Sequence, residues 1–325
     1  MYKNILIYNS GGGLGDSIQL FPLILSLKNH FMQSNFHYLG AHENHFTAAL
    51  RDYKISIKTL NLGIKFFGFR WWHFLKAKKE LSHLEIKKFD LIIDLQSKLR
   101  NTIILRRLSH NDFYSSTYNF FFCSKKERYD YNDNITDMTL LNLEKFLKQK
   151  IKKVNFNLKN LDEGFFNEAK RLLPKNKYIG FSLTQGNEYR KKSWPLEKFI
   201  NLAKKVEKKN RIPVFFLEKS KKNLAEKIKN EIPNALFPEL KSNLSGPGLV
   251  TALSSNLESA VSIDNGVMHM IGLTNIPMTV LFGPTNSKKF APDQKNVKIL
   301  DSNKMYGVKD INKITVDDVL ETLNF

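Results

Sequence analysis

The sequence predicts an α/β protein made of two Rossmann-like domains whose parallel sheets face a central cleft. Three observations carry that prediction. Short β-branched and aromatic runs alternate with longer amphipathic segments along the whole chain, the pattern of parallel strands covered by helices on both faces. The alternation restarts after a polar stretch near the middle. The length, 325 residues, suits about two domains.

Taken in order, the first half offers strands at Asn4–Tyr8, Phe36–Leu39, Ile55–Leu60, Leu91–Leu95 and Phe113–Ser116. Helical patterns lie between them at Ser17–Phe31, Phe69–Leu84 and Leu99–Leu108. Lys125–Asp137 is polar, and Leu140–Leu147 reads as a helix leading out of the first half. The second half has strands at Tyr178–Leu183, Pro213–Leu217, Ser259–Ile263 and Met278–Phe282. Its helices are expected at Leu196–Lys208, Lys221–Glu231, Leu249–Ser254 and Val267–Leu273. The boundary falls between about 150 and 175, giving domains 1–160 and 161–325.

Composition bounds the function. Apolar residues make up 42% and charged residues 25%, which excludes collagen-like and disordered classes. A single cysteine, Cys123, excludes a disulfide framework and a multi-cysteine metal site, and points to a reducing compartment. No apolar run reaches the about 18 residues of a membrane span, and the run Ile5–Tyr8 is too short for a signal peptide. A cytoplasmic protein is therefore expected. The net charge is +20, with 42 Lys and 9 Arg, nine charges in excess through Lys150 and eleven after it. So even a spread fits a lysine-biased composition, and it equally fits attraction to nucleotide phosphates, nucleic acid or an acidic membrane.

In doubly wound sheets, ligands sit where strands run into helices. At the first such junction stands Ser10-Gly11-Gly12-Gly13-Leu14-Gly15-Asp16-Ser17. The glycines allow close approach to the backbone. A dinucleotide fingerprint needs glycine where Asp16 stands, and its carboxylate opposes a pyrophosphate; no Gly-Lys-Ser/Thr follows either. Asp16 reads as a helix N-cap or as a general base. In the second half, Asp264 ends a strand, Gly266 opens a helix and His269 lies one turn inside it. Gly283-Pro284-Thr285 follows the next strand. Such junctions suit a phosphorylated or polyhydroxylated ligand, although a helical histidine is also an ordinary core residue.

Together these segments resemble a known family. Gly15-Asp16…Pro22, Asp264-Asn265-Gly266-Val267-Met268-His269 and Leu281-Phe282-Gly283-Pro284-Thr285 look like glycosyltransferase family 9, the lipopolysaccharide heptosyltransferases, which have a GT-B fold. Leu91–Gln96 resembles the family's Asp-Leu-Gln strand end, and Thr184-Gln185…Lys191-Lys192-Ser193-Trp194-Pro195 resembles the opening of its donor domain. The matches run in the family's order over most of the chain. Asn265 stands where the family more often has Thr, Ser287 where Pro is common, and Gly272-Leu273-Thr274 replaces an Ala-Leu-Gly-like turn. These departures leave the sugar and the base open.

The resemblance implies an inverting transfer of a heptose from ADP-heptose, or of another sugar from its own nucleotide, onto the lipopolysaccharide inner core or a related surface glycan. Asp16 is then the base that takes the acceptor proton. Lys192, with Lys191 as a rival, offsets the charge of the departing diphosphate, helped by Thr184 and by amides near Gly266 and Met268. Asp264 holds donor-sugar hydroxyls with His269 beside the phosphates. Glu218 is either a ribose acceptor or a surface residue. Gln185, Gly283 and Thr285 complete the donor side; Gly15, Arg70, Lys76 and Gln96 belong to the acceptor side. The first domain binds acceptor and the second binds donor. No cofactor and no metal are expected, since the chain contains no Asp-x-Asp, and His42-Glu43-Asn44-His45 is too tight for a zinc-protease helix.

The stretch 65–79 interleaves aromatics with bases and reads as a lysine-backed core helix, as an acceptor surface, or as a platform for single-stranded nucleic acid. The resemblance favours a monomer that meets a lipid-linked saccharide acceptor at the anionic cytoplasmic face of the inner membrane, with no nucleic-acid partner. Without the resemblance, a basic nucleic-acid-binding protein remains the other class, supported by charge alone.

Overall fold

The computed structural model describes residues 2–9, 13–40, 45–60, 69–82, 85–175, 177–186, 189 and 191–323. Ser10–Gly12 of the glycine loop, His42–Asn44, Lys65–Gly68 of the aromatic stretch, Leu84, Asn176 and Arg190 lie outside the described residues. The chain divides into two compact units, Met1–Phe156 and Asn157–Phe325. Each is a Rossmann-like unit with a parallel five-stranded sheet, the two-unit architecture of the GT-B class.

In the first unit the strands are β1 (Asn4–Asn9), β2 (Asn35–Gly40), β3 (Lys58–Thr59), β4 (Phe89–Asp94) and β5 (His110–Ser115). They lie in the order β3-β2-β1-β4-β5, all parallel. Helices cover both faces, so β1 has no polar side: Ile5, Leu6, Ile7 and Tyr8 are all buried. One face packs Leu6, Tyr8 and Ile92 against Ile104, Leu105 and Leu108.

In the second unit the strands are β6 (Tyr178–Ser182), β7 (Ile212–Phe215), β8 (Ser259–Ile263), β9 (Met278–Phe282) and β10 (Val297–Asp301). Their order is β10-β9-β8-β6-β7. Phe181, Phe215 and Phe199 form its aromatic centre, with the Phe181 and Phe215 rings stacked 5.0 Å apart.

Strand order decides where a ligand can sit. Chain direction across the sheet reverses between β1 and β4 in the first unit and between β6 and β8 in the second, and crevices open beyond the carboxyl ends of those strand pairs.

Several elements differ from the sequence expectation. The helix expected over Ser17–Phe31 is two helices, Leu14–Ile18 and Phe21–His30. Pro22 has no N–H to offer the preceding turn and sits instead in the first turn of the second helix. The helix expected from Phe69 begins at His73, whose Nδ1 accepts from the Arg70 N–H at 2.8 Å. β3 keeps only two residues of Ile55–Leu60. The helix Glu163–Leu172, capped by Asp162, falls in the stretch read as a domain boundary. β10 was not expected: as an edge strand with Lys298 and Ile299 exposed, it lacks the apolar run of a central strand.

Candidate active site

At the switch point of the second unit, three neighbouring strand ends converge. Asp264 follows the last residue of β8, and Asn265 then caps the helix Gly266–Gly272 by accepting from the Met268 N–H at 2.9 Å. The Asn265 amide also donates to Ser182 Oγ at 2.7 Å and to the Thr184 carbonyl at 2.8 Å, which ties the end of β8 to the end of β6. Beyond β6, Gln185 Oε1 accepts from the Lys192 N–H at 2.8 Å, and this bond folds the loop back over the sheet edge. The Lys192 ammonium then reaches Asp264 Oδ2 at 2.5 Å, while Thr285 Oγ1, from the turn after β9, donates to the same oxygen at 2.7 Å. Side-chain exposure is 12% for Lys192 and 7% for Asp264, so the pair is largely withdrawn from water.

The structure separates Lys192 from its rival. Lys191 is exposed and has a left-handed backbone with φ 47°, whereas Lys192 points into the strand-end cluster. Such an ammonium, balanced by one carboxylate that a hydroxyl also holds, can exchange its partner for a ligand phosphate.

One donor-side expectation needs correction, and the structure places the other donor-side residues. The Met268 side chain is buried and its N–H is already taken by the Asn265 cap, so it is not an open donor for a diphosphate. Gly283 is explained by packing: a Cβ there meets the Ile311 backbone nitrogen at 2.7 Å. His269 is 7% exposed, as a core residue is. Glu218 is exposed at the far side, beyond β7. Beside it stands Glu239, which the sequence reading missed; burial first, then the Glu218 charge, pushes its carboxyl up to about 7. Only its charge pattern could have marked it, and Pro238-Glu239-Leu240-Lys241 is an ordinary helix start.

The first unit carries a second constellation at its own switch point. Gln96 Nε2 donates to Asn9 Oδ1 at 2.8 Å, and Asn9 Nδ2 donates to the Tyr38 hydroxyl at 3.2 Å. A hydrogen-bonded row therefore crosses the ends of β4, β1 and β2. Burial raises the Tyr38 hydroxyl, and the nearby Asp16 charge adds to that shift. Asp16 is half-buried and is not the N-cap: Gly13 caps the helix Leu14–Ile18, and Asp16, three residues on, accepts from the Gly13 N–H through Oδ2 at 3.2 Å. Gly15 is buried within the same helix.

Beneath Gln96 lies a carboxylate whose environment the sequence did not reveal. Asp94, 1% exposed at the end of β4, accepts from Thr102 Oγ1 at 2.6 Å, Ser115 Oγ at 2.9 Å and the Gln96 N–H at 2.9 Å. Burial outweighs these three donors and pushes its carboxyl up to about 7.

Arg70 and Lys76 are exposed, and both lower the pKa of the buried His73, after burial itself, so they stand around one point. Phe69, His73 and Ala77 form the buried stripe of that segment, while Trp71, Trp72 and Leu75 are exposed. The core reading and the surface reading therefore describe its two faces.

Among the described residues, no group of three or more His, Cys, Asp or Glu side chains could hold a metal ion, and no helix is long and apolar enough to cross a membrane.

Comparison with known proteins places these features. A family model described as glycosyltransferase family 9 (heptosyltransferase) matches residues 77–316, which include the whole donor-side cluster and Gln96. Lipooligosaccharide heptosyltransferase 2 of Campylobacter jejuni subsp. jejuni serotype O:6 is 23% identical over 302 residues, covering 88% of this chain and 84% of the relative. Among solved structures, a glycosyl transferase family 9 protein of Veillonella parvula has a TM-score of 0.71 at 17% identity, covering 98% of this chain and 96% of its own. The E. coli heptosyltransferase WaaC with ADP has a TM-score of 0.67 at 15% identity, covering 98% of each chain.

Proposed function

Because the chain belongs to glycosyltransferase family 9, we propose that it is an inverting transferase moving heptose from ADP-heptose to the inner core of a lipid-linked saccharide. The second unit binds the donor and the first the acceptor. The enzyme works at the cytoplasmic face of the inner membrane, as a monomer, without cofactor or metal. What carries the reading is Lys192, held at the switch point of a doubly wound sheet by Asp264, which Thr285 braces in turn, within the segment the family model matches. Relatives with nucleotide ligands support the donor class: WaaC was solved with ADP and with ADP-2-deoxy-2-fluoro heptose.

The chemistry follows from these groups. An acceptor hydroxyl oxygen attacks the anomeric carbon while Asp16 takes its proton. The bond from that carbon to the phosphate oxygen breaks, and its electron pair leaves with the diphosphate. The negative charge that builds there meets the Lys192 ammonium and the Thr184 hydroxyl. When the donor arrives, its phosphate competes with Asp264 for Lys192, which turns Asp264 toward the hydroxyls of the donor sugar. The Gly13 N–H, donating to Asp16 Oδ2, fixes the orientation of the carboxylate.

The test is Asp16→Asn, measured for transfer and for ADP-induced thermal shift in the same preparation. Transfer falls by at least about a thousandfold, in the range of losing an acid–base group, while the ADP shift is kept. An active Asp16→Asn enzyme refutes Asp16 as the base. A shift with UDP or GDP and none with ADP refutes the ADP-linked donor and leaves the family mechanism in place.

A further inference from the structure

Three consecutive non-glycine residues after β5 are left-handed: Tyr118 at φ 48°, Asn119 at φ 49° and Phe120 at φ 64°. Each sets its Cβ against the neighbouring carbonyl, so such a run does not persist unless its surroundings impose it. Here they do. Thr117 Oγ1 lies 2.7 Å from Thr102 Oγ1 and 3.3 Å from the Gln96 carbonyl oxygen, within hydrogen-bond reach of both. The Thr117 N–H donates to Ser115 Oγ at 3.2 Å, and Ser97 Oγ and Ser116 Oγ are 2.7 Å apart. Two of these groups, Thr102 Oγ1 and Ser115 Oγ, also bond buried Asp94. At the other end of the turn, the Phe120 ring is buried 5.0 Å from that of Tyr129.

This enforced turn does not bury its remaining aromatics. Tyr118 is 67% exposed and Phe121 68%. The Phe122 ring braces both, 6.5 Å from Tyr118 and 5.3 Å from Phe121. Two cations flank them. The Lys126 ammonium donates to the Phe121 carbonyl and lies 5.1 Å from its ring centroid; Arg106 donates to the Phe122 carbonyl at 3.1 Å and lies 5.8 Å from that ring. A strained backbone that displays aromatic faces beside cations, at the carboxyl edge of the sheet and bonded directly to Gln96, has the features of a binding surface.

We propose that Tyr118 and Phe121, presented by this left-handed turn, form a stacking platform for an anionic sugar ring of the acceptor. The inference rests on the acceptor role assigned above to the first unit. The C–H face of a pyranose carries partial positive charge and suits the negative face of an aromatic ring. Lys126 and Arg106 match a carboxylate or phosphate on the same sugar. A purely apolar partner leaves those two cations unanswered.

The test uses the full chain with deacylated lipooligosaccharide core as acceptor. Tyr118→Ala and Phe121→Ala each raise the acceptor KM about tenfold, a typical loss for one stacked ring, with kcat and the ADP thermal shift unchanged. Tyr118→Phe and Phe121→Tyr keep the wild-type KM. An unchanged KM in both alanine variants overturns the platform. If the wild-type chain transfers nothing, the functional reading fails separately, and calorimetric titration of the same saccharide tests the platform alone. Binding weakened in the alanine variants upholds it; equal binding, or none to the wild type, overturns it. Loss of co-sedimentation with phosphatidylglycerol vesicles at unchanged KM also overturns it, in favour of a membrane contact.

Discussion

Replacing Asp94 by Asn isolates one titration in the core of the first unit. The folded carboxyl keeps its proton up to about pH 7, because burial outweighs the Thr102, Ser115 and Gln96 donors. In the unfolded chain an aspartate releases it near pH 4. The folded pKa is the raised one, so the native state holds its full share of stability below about pH 4 and loses it as the pH rises through 7. Moving the carboxyl from about 4 to about 7 amounts to about 4 kcal/mol of differential stability. Asparagine keeps the size and accepts the Gln96 N–H through its oxygen, but does not titrate. Melting of wild type and Asp94→Asn is compared from pH 4 to pH 8 in one buffer series. At about 2–4 °C per kcal/mol for a unit of this size, the wild-type Tm falls relative to the variant by roughly 10 °C over that range. Parallel Tm curves refute the raised pKa and the reading of Asp94 as a neutral, buried acid.

Two further predictions concern the second unit. Lys192→Ala weakens ADP binding by at least about tenfold, as loss of a charge-assisted phosphate contact does, and lowers Tm because Asp264 is left buried without its cation. Unchanged ADP affinity by calorimetry moves the phosphate role away from Lys192. Gly283→Ala drives a Cβ against the Ile311 backbone and costs about 1–3 kcal/mol in chemical denaturation; a neutral result means the segment around Ile311 yields.

Much of the architecture was legible in the sequence because it is set by periodicity. Strands buried on both faces read as unbroken apolar runs, as in Ile5–Tyr8 and Leu91–Ile93, and β8, β9 and the helix Leu196–Lys208 fall within or at the expected limits. Strand-to-helix junctions follow from that alternation, so Asp16, Lys192, Asp264 and Thr285 could be singled out by position and resemblance. The edge strands β3 and β10 were poorly legible, because a strand with one neighbour needs no continuous apolar face.

What the sequence by itself determined, then, is the class of fold, the family and the chemical kinds of residue available at the strand ends. Which of those residues meet was decided by tertiary structure alone. Lys191 and Lys192 are chemically equivalent in one dimension, and only the Gln185 bond and the position of Asp264, 72 residues away, turn one of them into the cluster. The same holds for Asp94 and Thr117. The raised pKa of the acid depends on burial beneath residues from two other segments, and the left-handed turn depends on bonds formed only when β4 and β5 lie side by side. Local propensity disfavours both features. They exist because hydrogen bonds between distant segments, closed in a water-poor interior, outweigh what each residue prefers alone.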